Sequence, residues 1–212
     1  MPLPCTKEEL RNIEKHAPSN SLVRLGVDNN PATVQDVLFH LTRSHIVHFA
    51  CHGNQDAKDP LESCLILHDG KPLKVKEIMA QPMPNALLAF LCACKTAMGA
   101  EKLPDEAMHI AASLLFAGFR GVVATMWYVP FPHSFAPFII YKCYRSIADE
   151  DGPKIADSFY EYLFRKVTGS TATQAYPDTS EAAQALHNAV CKLRVDSQCS
   201  FKRWVPFIHM GV

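Results

Sequence analysis

Apolar and polar positions along the chain switch between two periods, and the switches mark the elements. Glu8 to His16 reads as a short polar helix, and Ser21 to Leu25 as a short strand. Asn29-Asn30-Pro31 is a turn, with Pro31 near the start of a helix running to about Leu41. Val34, Val37, Leu38 and Leu41 give that helix one apolar stripe. Ile46-Val47-His48-Phe49-Ala50 reads as a strand that runs straight into Cys51-His52-Gly53. Cys64 to His68 is the next strand, and Asp69-Gly70 a tight turn. Val75 to Ala80 is a short helix, broken by Pro82-Met83-Pro84-Asn85. Ala86 to Cys92 is apolar at every position, as expected at the centre of a parallel sheet. Asp105 to Ala117 reads as a helix closed by Gly118, and Arg120 to Met126 as another buried strand, ending at Trp127. Pro132 to Asp149, Lys154 to Val167 and Ser180 to Leu193 carry helical patterns. Gly169 to Asp178 is a polar loop, and Trp204 to His209 a closing strand.

Strands alternating with helices predict an α/β fold with a mostly parallel sheet and crossover connections. There is no internal repeat and no low-complexity tract. The 212 residues are 48% hydrophobic, enough for one sizeable core and hence one domain. Lys and Arg together number 21, as do Asp and Glu, so the net charge is zero. That balance argues against a nucleic-acid or anionic-membrane binder, which needs a basic surplus. The longest apolar run falls far short of the roughly 20 residues of a spanning helix. The N-terminus has no basic stretch followed by an apolar one, which predicts no secretory leader. Of the eight cysteines, Cys51, Cys64, Cys92 and Cys94 lie in or beside apolar runs and Cys143 and Cys191 sit inside helical patterns, which argues against a disulfide framework. Together these features predict a reduced, cytoplasmic protein.

Two strand ends carry reactive groups, and in an open α/β sheet functional groups gather beyond the carboxyl ends of strands. His52 follows the strand ending at Ala50-Cys51, with Gly53 next; Cys94 follows the central apolar strand. Adjacent parallel strands would bring the two face to face. A thiol becomes a competent nucleophile as the thiolate, and an imidazole supplies the base and later protonates the leaving amine. Gly53 lets the main chain approach a substrate and offer its amide to the oxyanion, and the Cys94 amide is the natural second donor. Histidine first, then cysteine after an alanine, is the caspase-type order, although the glutamine and glycine of that signature are absent. His48, Cys51, His52, Cys92 and Cys94 could also be read as soft metal ligands, but their spacing matches no zinc pattern, and no metal or cofactor is expected. Cys51, Cys64 and Cys92 read as packing residues. Asp105 and Glu106 read as opening a helix, where carboxylates favour the dipole, or alternatively as substrate-binding residues near the cysteine loop. Trp127 reads as core or as a pocket wall. Lys95 stands beside Cys94 and could lower its pKa.

The chain resembles the CHAT domain, a caspase-like clan CD peptidase domain related to separase and often linked to tetratricopeptide repeats. The matching segments are Ile46 to Gly53, Leu65 to Gly70, Leu88 to Gly99, Asp105-Glu106-Ala107, Ala117 to Trp127, and the tail Trp204 to Gly211. The resemblance implies a caspase-like three-layer sandwich, with helices on both faces of the sheet. It implies a single peptidase domain over residues 1–212, lacking the family's usual N-terminal edge segment. It implies that His52 and Cys94 are the catalytic dyad of a cysteine endopeptidase, with the Gly53 and Cys94 amides as the oxyanion hole. The partners implied are a protein substrate and tetratricopeptide-repeat regions. Family members commonly carry acidic residues after the Trp-x-Val of the segment ending at Trp127, whereas Pro130-Phe131-Pro132-His133 follow here. That departure motivates a second reading, a CHAT-like interaction or scaffold module that does not cleave. A thiol-dependent transferase using the same dyad is a third, and nothing in the sequence points to its acceptor.

Overall fold

The computed structural model describes residues 5–27, 30–54, 56, 58–92, 107–125, 150–167 and 176–212. Its main sheet has four strands: β1 (Ile46–Phe49), β5 (Leu88–Leu91), β6 (Gly121–Thr125) and β7 (Phe207–Gly211), side by side in that order. β1, β5 and β6 run parallel, and β7 closes antiparallel on β6. A separate antiparallel sheet holds β2 (His52–Asn54), β3 (Cys64–Ile66) and β4 (Pro72–Lys74).

Helices cover both faces of the main sheet, so the fold is the expected α/β sandwich. One face is covered by α2 (Val34–Leu41), α3 (Val75–Met79) and α4 (Ala107–Ala117). There Val37, Leu41, Ile78, Ile110 and Leu114 pack against Phe49, Ala89, Leu91, Val122 and Ala124. The other face is covered by α1 (Thr6–His16), α5 (Asp151–Phe164) and α6 (Ala182–Ser197). There Ile13, Ile155, Phe159, Leu163, Ala185 and Ala189 pack against Leu88, Phe90 and Val123. Successive strand residues point to opposite faces, so β5 and β6 are buried at every position because both faces are covered.

Local chemistry sets several boundaries away from the sequence expectation. α2 starts at Val34 rather than near Pro31, because Thr33 is its N-cap. The Asp36 amide donates to the Thr33 hydroxyl at 3.2 Å, while the Asp36 carboxylate accepts from the Thr33 amide at 3.4 Å, a reciprocal capping box. The Asp69-Gly70 turn is present: the Leu67 amide donates to the Lys71 carbonyl, the Gly70 amide to the Leu67 carbonyl, and Gly70 has a φ of 78°. It joins β3 to β4, a strand of three residues too short to show a period. Ser21 to Leu25 forms no strand. A 3-10 turn occupies Ser19–Ser21, and Val23 is exposed. The closing strand begins only at Phe207, because Phe201–Trp204 form a short helix, α7, and Pro206 lies between the two. The helix expected over 132–149 lies outside the described residues.

Candidate active site

β1 and β5 are register partners from Ile46–Leu88 to Phe49–Leu91. The ladder closes one step further, where the Cys92 amide donates to the Phe49 carbonyl at 2.9 Å. The two carboxyl ends therefore leave the sheet side by side. From the first the chain reaches His52 in three residues, and from the second Cys94 follows two residues after Cys92.

His52 does not hang on a free loop beyond β1. It opens β2, opposite Ile66, and Gly53 lies buried opposite Leu65. The turn out of the parallel sheet is driven by the fully buried Leu65 and Leu73 of the small sheet, which belong to the same apolar core as Phe49 and Leu91. The loop after β2 is braced by hydrogen bonds. The Asp56 amide donates to the buried Ser63 hydroxyl at 3.0 Å, and the Asp56 carboxylate accepts from the Lys58 and Asp59 amides. Those two backbone bonds hold the Asp56 carboxyl below its ordinary pKa. The imidazole of His52 is thus set on a strand whose two ends are both anchored.

Burial sorts the cysteines near this point. Cys51, next to His52, has its thiol pushed up to about 12, first by desolvation and then by the negative charge of Glu9. It stays protonated at neutral pH and is no nucleophile. Burial raises Cys64 as well. Both act as packing residues, as expected from the sequence. Among the described residues, Cys5, Cys51, Cys64, Cys92, Cys191 and Cys199 form no disulfide. Cys94, Asp105, Glu106 and Trp127 lie outside the described residues, as does Lys95.

Beneath the two strand ends, on the face covered by α1 and α5, lies a polar chain that hydrophobic periodicity does not reveal. Glu9 of α1 is buried, with its side chain only 4% exposed. Its carboxylate accepts from His48 Nε2 at 2.9 Å, and His48 Nδ1 lies 3.1 Å from the hydroxyl of fully buried Tyr160. In the tautomer whose Nε2–H donates to Glu9, Nδ1 accepts a hydrogen bond from the Tyr160 hydroxyl. The His48 ring stacks on Phe90, its register partner on β5, with centroids 4.8 Å apart. Burial, with the Glu9 charge added, pushes the Tyr160 phenol well above its ordinary value, so it remains protonated. An isolated carboxylate buried here would cost several kcal/mol, so the histidine partner is required rather than incidental. The signal in the sequence is Glu9, Asn12 and Ile13 at helical spacing. All three are buried, but two are polar and so drop out of an apolar stripe.

His48 is hydrogen-bonded to Glu9 and Tyr160. Among the described residues, no group of three or more His, Cys, Asp or Glu side chains is arranged to hold a metal ion. Among the same residues, no helix is long and apolar enough to cross a membrane.

These features define an α/β sandwich whose candidate groups lie past the carboxyl ends of two neighbouring parallel strands. The chain belongs to the CHAT domain family, whose family model matches residues 1–156, from the N-terminus through β6 and into α5. That family is related to the caspase-like peptidases of clan CD. A search of curated proteins found no match.

Proposed function

We propose that the protein is a cysteine endopeptidase in which His52 and Cys94 form the dyad. The observation that carries this reading is the parallel pairing of β1 with β5, whose carboxyl ends lead to those two residues. In the proposed reaction His52 takes the thiol proton, and the Cys94 sulfur attacks the scissile carbonyl carbon. The negative oxygen of the tetrahedral intermediate accepts from the Gly53 and Cys94 amides. The C–N bond breaks as the imidazolium returns its proton to the leaving amine. Water, deprotonated by the same imidazole, then hydrolyses the thioester and regenerates the thiol. Asp105, Glu106 and Trp127 are proposed to border the substrate groove. The substrate is a polypeptide in the cytoplasm, and tetratricopeptide-repeat regions are the proposed partners.

Burial raises the thiols of Cys51 and Cys64, which disfavours those two as the nucleophile and agrees with the assignment of Cys94. Cleavage of a fluorogenic peptide library tests it. Cys94→Ala and His52→Ala are expected to lower kcat/KM by about 10³-fold or more, with melting unchanged. Full activity of Cys94→Ala would remove the assignment. The run Pro130-Phe131-Pro132-His133, where relatives carry acids, supports a second reading, a CHAT-like scaffold that binds without cleaving. It predicts peptide binding with no turnover in the wild-type chain.

A further inference from the structure

We infer that Gly152 is a positioning residue for the strand end that carries Cys94, acting through a direct contact with Cys92. The role in activity rests on the peptidase reading above; the contact itself does not. Gly152 sits in the first turn of α5 and is not among the glycines with positive φ, so the backbone does not require glycine there. The space does. A Cβ at Gly152 would lie 2.7 Å from Cys92 Sγ, with the Glu9 carboxylate oxygens at 3.7 and 3.8 Å. A sulfur and a carbon cannot approach that closely without one of them moving.

The helix is the side that cannot yield. Asp151, fully buried, accepts from Arg203 Nε at 2.8 Å and from Arg203 Nη2 as well. On the other side of Gly152, the Pro153 carbonyl accepts from the Asn12 side-chain amide at 3.0 Å. Both residues flanking Gly152 are therefore tied, one to α7 and one to α1. Cys92 is 5% exposed and shares its core with Phe90 and Ile155, so its sulfur, with a single torsion, has packed neighbours to turn into. Displacement passes to the Cys92 backbone and the last hydrogen bond of the β1–β5 ladder, to Phe49. That bond ties the chain leading to Cys94 to the chain leading to His52. The glycine is a stop that sets how closely α5 seats on the end of β5.

Four full-length chains test this: wild type, Gly152→Ala, Cys92→Ala and the double variant. Cys92→Val is a fifth, which presses the same contact from the other side with the glycine kept. Two rates are read: amide hydrogen exchange at residue 92, and alkylation of Cys94 by a peptidyl acyloxymethyl ketone. Gly152→Ala and Cys92→Val are expected to speed exchange at residue 92 and slow alkylation by about tenfold or more, because a small misplacement of a reacting group is costly. Cys92→Ala removes the sulfur, so the double variant is expected to return toward wild-type rates in both. A loss at Gly152 that does not run through Cys92, such as a weaker α5, would not be rescued by shortening residue 92. Unchanged exchange in Gly152→Ala, or no rescue in the double variant, overturns the inference. If the wild type is never alkylated at Cys94 while exchange shows the loss and the rescue, the contact stands and the peptidase reading falls.

Discussion

The two faces of the main sheet are built differently. Under α2, α3 and α4 the core is hydrocarbon, with Leu41, Ile78, Ala89, Leu114 and Val122 meeting with no buried polar chain between them among the described residues. Under α1 and α5 an equally buried core contains Glu9, His48 and Tyr160 linked by hydrogen bonds, with Asp151 paired to Arg203 close by. The first face gains from burial alone and tolerates small adjustments of shape. The second gains direction: Glu9, His48 and Tyr160 are joined in one hydrogen-bonded series, which fixes how the elements that carry them meet. That directional face carries β1 and β5 at the points where they hand the chain on to His52 and Cys94.

Truncation at the join of the two strands should break this contrast most strongly. Phe90→Ala removes a fully buried ring and the surface on which His48 stacks, and is expected to cost about 3–5 kcal/mol, read by urea unfolding. Leu114→Ala on the hydrocarbon face should cost about 2–5 kcal/mol by the same measurement and leave Cys94 alkylation unchanged. Next comes the polar chain. Glu9→Ala leaves a half-satisfied imidazole and should cost about 2–3 kcal/mol, whereas Glu9→Gln, which still accepts one hydrogen bond, should cost less. Tyr160→Phe removes only the hydroxyl that meets His48, so a loss of about 1 kcal/mol is expected, or a melting shift of about 2–4 °C.

Acid sharpens the comparison in another way. His209 of β7 shares a face with Phe207, the same face as the polar chain, but its Nε2 is buried and has no hydrogen-bond partner among the described residues. Desolvation lowers its pKa below the ordinary 6.5. Above that value both folded and unfolded imidazoles are neutral, and the contribution to stability is complete. As pH falls below 6.5 the unfolded chain takes up the proton first, so stability declines. His209→Leu should flatten that decline in melting curves recorded from pH 7.5 to 5. The smallest effect belongs to the surface. Lys192 and Glu161, 3.5 Å apart with both side chains more than half exposed, should contribute no more than about 0.5 kcal/mol, so Lys192→Ala is nearly silent in the same curves.

Hydrophobic periodicity makes the mostly parallel α/β sheet legible, and the family resemblance adds the sandwich. The all-apolar run over Ala86 to Cys92 marks a strand covered on both faces, and β5 is buried at each of its four positions. Helix α2 declares itself by its apolar stripe, and α4, α5 and α6 by helical patterns long enough to be told from strands. Short elements do not. β4 has three residues, one of them proline, and no pattern of three can be told from a loop. The candidate site is legible as chemistry, in the placing of His52, Gly53 and Cys94 after apolar strands. Its support is not, because Glu9 and Asn12 look like surface residues of a polar helix until α5 is laid over them. Buried polar contacts depend on which distant element arrives, and that is tertiary information. His52 likewise reads as lying past the end of a strand, because nothing local reports that Gly53 will face Leu65 across a second sheet.

The most direct test of the account is covalent labelling of the wild-type chain with a panel of peptidyl acyloxymethyl ketones, mapped by mass spectrometry, with Cys94→Ala and His52→Ala alongside. The account predicts modification at Cys94 alone, lost in His52→Ala, with Cys51 and Cys64 untouched because their thiols are held protonated. A folded chain that leaves Cys94 unmodified by every probe, or that reacts there equally well without His52, would contradict it.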